Sequence, residues 1–191
     1  MSARQPRPAK GPVKRFWRSR DGASAVEFAL IAPALIAMYC GMAELTQAMM
    51  AQRRLSNIAS AVGDLVAQGS QTGPLKMADV FKVADTIMAP YPVTGALKMC
   101  VVSITSDVNG KDTVAWSKPS ASGMTNCPGQ GAVLTDVPVA VLPANQSVIL
   151  SRVSYTYTPA IKFILSSGMT FNRTYYLRPR KTDAVLWNSA S

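Results

Sequence analysis

The chain has 191 residues, a formal net charge of +10 at pH 7 and no histidine. It therefore lacks the commonest general base and metal ligand. The acids after Glu27 are scattered and form no close pair suited to a carboxylate dyad. Composition leaves Ser-Lys chemistry open, but no motif indicates it. We expect no enzyme, no metal and no cofactor.

Positive charge is concentrated at the start of the chain. Residues 1–22 hold seven Lys and Arg against one acid, a net of +6, whereas residues 23–191 hold thirteen against nine, a net of +4. A basic block of this kind is typical of a nucleic-acid arm, of a nuclear-localisation or heparin-binding patch, or of the cytoplasmic flank of a membrane segment. Because an apolar run follows immediately, we favour the membrane flank and expect no nucleic-acid partner.

The apolar run predicts a single membrane-spanning helix. Residues 28–43 carry no charge, and a helix over 23–43 would be about 31 Å long at roughly 1.5 Å per residue. This length matches a hydrocarbon core of roughly 30 Å. Only Arg53 and Arg54 follow the run closely, so the positive-inside rule places the N-terminus in the cytoplasm. We expect a basic leader (1–22), a helix in the bacterial inner membrane (23–43) and a periplasmic remainder.

A cleaved secretory signal peptide is the alternative explanation of this N-terminus. Gly41-Met42-Ala43 resembles a small-x-small cleavage site. However, Glu27 and Pro33 interrupt the apolar region, and the helical pattern continues past the supposed cut. We therefore favour a retained helix, while release of a secreted domain beginning at Glu44 stays open.

Residues 44–68 continue the helical pattern as an amphipathic extension. The apolar residues recur at steps of three and four: they are Leu45, Met49, Leu55, Ile58, Val62, Leu65 and Val66. Such a helix either packs against its own domain or prolongs the membrane helix, and we predict the second. Glycines and a proline in 69–74 end it.

Residues 75–191 are predicted to form a periplasmic α+β domain. A second amphipathic helix covers 75–89, and from Gly95 the period of the apolar residues changes to two. Asn109-Gly110 is a hairpin signal. We expect an antiparallel sheet of about four strands, at 97–105, 112–118, 147–158 and 169–178.

Two of the three cysteines lie in the predicted soluble part. In a periplasm, Cys100 and Cys127 would tend to oxidise together, and closing this loop would stabilise the fold by roughly 3.5 kcal/mol in the chain-entropy model. Two free buried thiols are the alternative. Cys40 lies in the apolar run, where it serves as a small hydrophobe.

Two residues of the apolar run call for an explanation. Pro33 removes the helical partner of the Ala29 carbonyl, which gives either a harmless kink or a site of bending. Glu27 is an acid inside a span that has no base. Its carboxylate either reaches the headgroup layer or has a functional partner. If the chain is cut after Gly22, the new amine of Ala23 supplies that partner and offsets the cost of burying the carboxylate.

The N-terminal pattern resembles that of a known protein family. The stretch GASAVEF, in which Glu27 and Phe28 follow Gly22 at the fifth and sixth positions, resembles the type IVb prepilin processing site of the tight-adherence (Tad/Flp) system. Major Flp pilins carry tyrosine after the glutamate. Phe28, the basic leader and the large soluble domain are more similar to the TadE-like minor pseudopilins. The resemblance covers about residues 18–60. The stretch TYYLRPR near the C-terminus is also similar to endings of this family, but more weakly. TadG-like relatives share the N-terminal pattern but are usually longer.

The resemblance implies a role in pilus assembly. A membrane-embedded prepilin peptidase would cut after Gly22, and the mature protein would stay in the inner membrane until it joins a pilus. Its partners would be that peptidase, other pilins and pseudopilins, and the Tad secretion platform. The pili of this system serve surface attachment and biofilm formation. An uncleaved single-pass membrane protein with a periplasmic ligand- or partner-binding domain is the competing hypothesis.

Overall fold

A computed structural model describes residues 21–162 and 167–189 of the chain. The seven leader cations predicted to flank the membrane lie within residues 1–20, outside the described residues. The chain divides into two compact units, Met1–Ala43 and Glu44–Ser191.

The first helix, α1, spans Asp21–Ala67. Within the first unit its side chains are mostly exposed and apolar, including Phe28 at 67%, Leu30 at 75% and Tyr39 at 75%. Among the described residues, α1 is the one helix long and apolar enough to cross a membrane. The predicted span 23–43 lies inside it.

The second unit is built around an antiparallel sheet. Its strands are β2 (Leu97–Ser106), β3 (Asp112–Pro119), β4 (Val133–Leu134), β5 (Ser147–Tyr157) and β6 (Met169–Leu177), in the order β4-β3-β2-β5-β6. The predicted α+β class is confirmed, and each of the four predicted strands is present with bounds that differ by at most one residue. The fifth strand, β4, was not predicted, because two residues carry no measurable period.

The hairpin between β2 and β3 forms where the Asn-Gly signal predicted it. Gly110 adopts a φ of 74°, a conformation that a Cβ atom disfavours and that glycine, which has none, adopts readily. The Asp107 carboxylate accepts hydrogen bonds from the backbone N–H groups of Asn109 and Lys111, both at 2.8 Å. An aspartate that folds its side chain over the following residues in this way fixes the register of β2 against β3.

The part of α1 that belongs to the second unit packs its alanine-rich side into the core. Leu55, Ile58 and Val62 are fully buried, as are Ala51, Ala59 and Ala67, and Ala48 and Val66 are nearly so. The predicted apolar face was therefore wrong in part, since Leu45, Met49 and Leu65 are exposed. Small side chains let a helix lie close to a sheet, and Gly63 is a point of such close approach. A Cβ atom there would stand 3.2 Å from the Ser151 Cβ atom and would overlap the Leu177 side chain.

The second helix, α2, spans Pro74–Met88 and begins with proline at a position where the missing N–H costs nothing. Its buried residues Met77, Ala84 and Met88 join the core that α1 forms with the inner face of the sheet. A separate parallel pair, β1 (Gln71–Thr72) and β7 (Leu186–Trp187), lies outside the main sheet.

The outer face of the sheet carries a second apolar cluster. Val102, Ile104 and Leu150 pack there against Val137 and Leu142, and half-buried side chains of the segment 120–146 complete the cluster. Strand β2 from Cys100 onward and strand β5 up to Leu150 are therefore covered on both faces, which explains their apolar runs. The segment that follows β3, in which the sequence predicted no strand, belongs to the covering of the outer face through Met124 and Cys127.

The residues after β6 return to the core. The buried indole of Trp116 on β3 donates a hydrogen bond from Nε1 to the carbonyl of Val185 at 2.7 Å. Its ring lies 5.6 Å from that of Trp187, and the Lys118 ammonium lies 4.2 Å from the Trp187 ring centroid. These contacts hold β7 beside the sheet.

Candidate functional site

The predicted processing residues all lie in the first turns of α1. Gly22, Ala23, Glu27 and Phe28 are helical and exposed. The glycine meets no heavy atom within 4 Å of the place where a Cβ would stand. In the described structure the segment is therefore accessible to an enzyme, and packing gives no reason for a glycine at position 22.

Ala23 and Glu27 lie on one side of the helix. They are four positions apart in a continuous α-helix, which places them one turn from each other on the same face. The ion pairs among the described residues join Arg152 to Asp136 and Arg180 to Asp64, and Glu27 takes part in neither. An amine created at residue 23 would lie within reach of the Glu27 carboxylate, and the helix N-terminus would further favour a negative charge there.

Pro33, the predicted site of bending, lies inside α1. The helix continues through it on both sides, so the carbonyl of Ala29 lacks the N–H that residue 33 would otherwise donate. Small residues surround the proline in the sequence: Ala29, Ala32, Ala34, Ala37 and Gly41. Such residues let helices approach one another closely in lipid.

The two cysteines of the second unit are joined. Cys100 on β2 and Cys127 form a disulfide with a Cα–Cα distance of 5.7 Å. Cys100 is fully buried in the outer cluster, and Cys127 belongs to the segment that covers it. The bond therefore attaches the covering segment to the central strand of the sheet. Cys40 is a free, half-buried cysteine in the first unit.

The structure also assembles a polar depression that sequence reasoning did not single out. It has a volume of about 420 Å³ and lies where the outer face of the sheet is not covered. We call it the outer basin. Its polar residues come from β2, β5, β6 and the loop before Cys127: Lys98, Thr125, Asn126, Arg152, Ser154, Asn172 and Thr174. The alternation of polar residues within each strand was visible, but their meeting depends on strand order.

Comparison with known proteins gives one family. The model of the TadE-like protein family matches residues 22–64. The match begins at Gly22 and covers less than a quarter of the 191 residues. No curated protein and no solved structure matches the chain significantly. The resemblance predicted from the sequence is confirmed over this segment: residues 22–64 are similar to the TadE-like protein family.

Proposed function

We propose that the protein is a minor pseudopilin, an assembly component of a tight-adherence pilus that a prepilin peptidase processes after Gly22. The TadE-like match associates the chain with the Tad pilus system in general. One observation carries the finer proposal. The matched segment starts at the glycine itself, and the residues after it form an exposed helix with Glu27 at the fifth position.

The exposed apolar surface of the first unit supports the proposal that the protein is membrane-bound. Phe28, Leu30 and Ile36 are each more than 60% exposed, which is unfavourable in water at roughly 25 cal/mol per Å² of apolar surface. Lipid removes this cost before assembly, and neighbouring helices remove it afterwards. The inner membrane and the helices of other pilins are therefore the partners that this segment suits.

The role proposed for Glu27 follows from its lack of an ion-pair partner among the described residues. A carboxylate in the hydrocarbon region costs several kcal/mol unless it is paired, and the described residues give Glu27 no ion pair. Cleavage after Gly22 would place a positive amine on Ala23. That amine, on the same or a neighbouring helix, neutralises the carboxylate and fixes the axial register of packed helices.

One feature of the second unit supports a periplasmic location. Its disulfide is the kind of bond that persists in an oxidising compartment. We propose a structural role for this unit, in contact with other pilins, pseudopilins and the Tad secretion platform, and no catalytic role.

Co-production with a prepilin peptidase tests the proposal. The wild-type chain should lose its leader, whereas Gly22→Leu should keep it, because the resemblance gives glycine as the residue before the cut. Gly11→Leu makes the same change inside the leader and should still be cleaved. A wild-type chain that keeps its leader would support the uncleaved single-pass membrane protein instead, and a chain that begins at Glu44 would support a secreted domain.

A further inference from the structure

We infer that the outer basin binds a small sugar that carries one carboxylate, such as a uronic acid. This site is separate from the membrane segment, and the inference does not depend on the proposed pilus role. It follows from the register of three strands, from the loop that closes one side and from the balance of charge.

Strand register places the polar groups of the basin side by side. Lys98 lies opposite Ser154, which lies opposite Asn172. Two residues further along the strands, Arg152 on β5 lies between Cys100 on β2 and Thr174 on β6. Residues directly opposite on neighbouring strands share a face of the sheet. The two cations are therefore diagonal neighbours on the outer face, with hydroxyl and carboxamide groups beside them.

The loop before Cys127 forms a wall of the basin. Arg152 donates a hydrogen bond from one guanidinium nitrogen to the backbone carbonyl of Asn126 at 2.9 Å. The Cys100–Cys127 disulfide holds the same loop one residue further on. The wall is thus attached at two successive positions, so the depression exists before a ligand arrives, as small-molecule sites usually do.

Lys98 differs from the other half-buried cations of the described residues in having no partner. The half-buried cations of the described residues are Arg54, Lys98, Lys118, Arg152 and Arg173. The other four each have a hydrogen bond, an ion pair or an aromatic ring as a partner. Lys98 has none of these, although partial burial of a charged group without a partner is unfavourable. An anion in the basin would supply the missing partner.

The net charge of the outer basin favours a ligand that carries a single negative charge. Arg152 lies 3.9 Å from the Asp136 carboxylate, so Lys98, Arg152 and Asp136 together leave +1. One carboxylate neutralises this charge, whereas a phosphate dianion would exceed it. The surrounding Ser154, Thr174 and two asparagines can each donate and accept hydrogen bonds, which is what sugar hydroxyls require. The volume of about 420 Å³ lies within the usual range for small ligands, roughly 300–1,000 Å³.

Ligand titration of the full-length chain in neutral detergent micelles tests the inference. Sodium glucuronate should bind saturably by ligand-observed NMR, at least about tenfold more tightly than glucose or acetate, a difference of about 1.4 kcal/mol. Glucose lacks the carboxylate and acetate lacks the hydroxyls. Lys98→Met should weaken glucuronate binding at least about tenfold, whereas Lys111→Met, at an exposed hairpin position, should not change it.

A second variant keeps the test decisive if Lys98→Met does not fold. Asn172→Ala changes an exposed residue of the edge strand and should weaken glucuronate binding without unfolding the chain. The inference is overturned if glucuronate does not bind saturably, or if acetate or glucose binds equally well. It is also overturned if the basin variants bind glucuronate as tightly as Lys111→Met does.

Discussion

Arg180 is bonded twice to the last turns of α1. Its guanidinium donates to the carboxylate of Asp64, and its backbone N–H donates to the carbonyl of Ala67 at 2.9 Å. Ala67 ends the helix, so its carbonyl has no partner inside α1. The C-terminal segment thereby supplies the hydrogen bond that the end of this helix lacks.

Two contacts of the C-terminal segment, the Arg180–Asp64 ion pair and the hydrogen bond from the Trp116 indole to Val185, should contribute unequally to stability. Arg180→Met should lower the free energy of unfolding by less than about 1 kcal/mol, because the Arg180 side chain is exposed and water screens the pair. Trp116→Phe should cost about 1–3 kcal/mol, because it leaves the buried carbonyl of Val185 without a donor. Urea unfolding followed by circular dichroism compares the two. A larger loss for Arg180→Met would show that the surface contact holds the segment.

The disulfide should stabilise the second unit substantially. Replacing Cys100 and Cys127 together by alanine should lower the free energy of unfolding by roughly 3.5 kcal/mol, because the open chain of the unfolded state gains conformational entropy. Cys40→Ala, which removes the free cysteine of the first unit, should leave unfolding of the second unit unchanged. A reductant should reproduce the loss in the wild-type chain and have no effect on the double variant. Equal stability of all three chains would contradict a stabilising role for the bond.

Stability should fall at alkaline pH because of a buried phenol. Burial raises the pKa of Tyr155 above its ordinary value of 10.0, and Tyr91 and Tyr157 add to the effect. The unfolded chain then loses the Tyr155 proton first, so this contribution is complete below pH 10 and is lost as pH rises through the folded pKa. Each such group changes the slope of the unfolding free energy against pH by up to about 1.4 kcal/mol per pH unit.

The measurement is the unfolding free energy from pH 8 to 11 for the wild-type chain and for Tyr155→Phe. The variant should show a shallower alkaline fall and an unchanged dependence below pH 9. Identical alkaline slopes would mean that Tyr155 does not contribute.

Regular strands were predictable and short ones were not. The alternating β-branched residues around Val101 and Val153 define β2 and β5, and Asn109-Gly110 defines the turn. The pair β1–β7 joins Gln71 to Leu186, and neither segment has enough residues to show a period. Such contacts depend on the docking of the C-terminal segment, which no local pattern encodes.

The two candidate sites also differ in how far they could be predicted from the sequence. The proposed processing site is a linear motif, so its resemblance to a prepilin site could be read from the spacing of Gly22, Glu27 and Phe28 alone. The outer basin brings Lys98 to Asn172 through the order of three strands. Its ligand groups are isolated polar residues in the sequence, and they became a group only through register and the disulfide-linked loop.

Assembly should depend on the charge of Glu27. Glu27→Gln keeps the shape of the side chain and the glycine before the cut, so removal of the leader should continue. Co-purification with other pilus components should fall, because the new amine would lose its counter-charge. Ser24→Ala, a change in the same exposed turn that alters no charge, is the matched control. Unchanged co-purification of Glu27→Gln would argue against the pairing.

The N-terminal sequence of the protein recovered from its own cells tests the central claim most directly. Cleavage after Gly22 predicts that the mature chain begins Ala23-Ser24-Ala25-Val26, which mass spectrometry of the N-terminal peptide identifies. A mature chain that retains the leader, or one that begins at Glu44, would contradict the account of this protein as a processed pseudopilin.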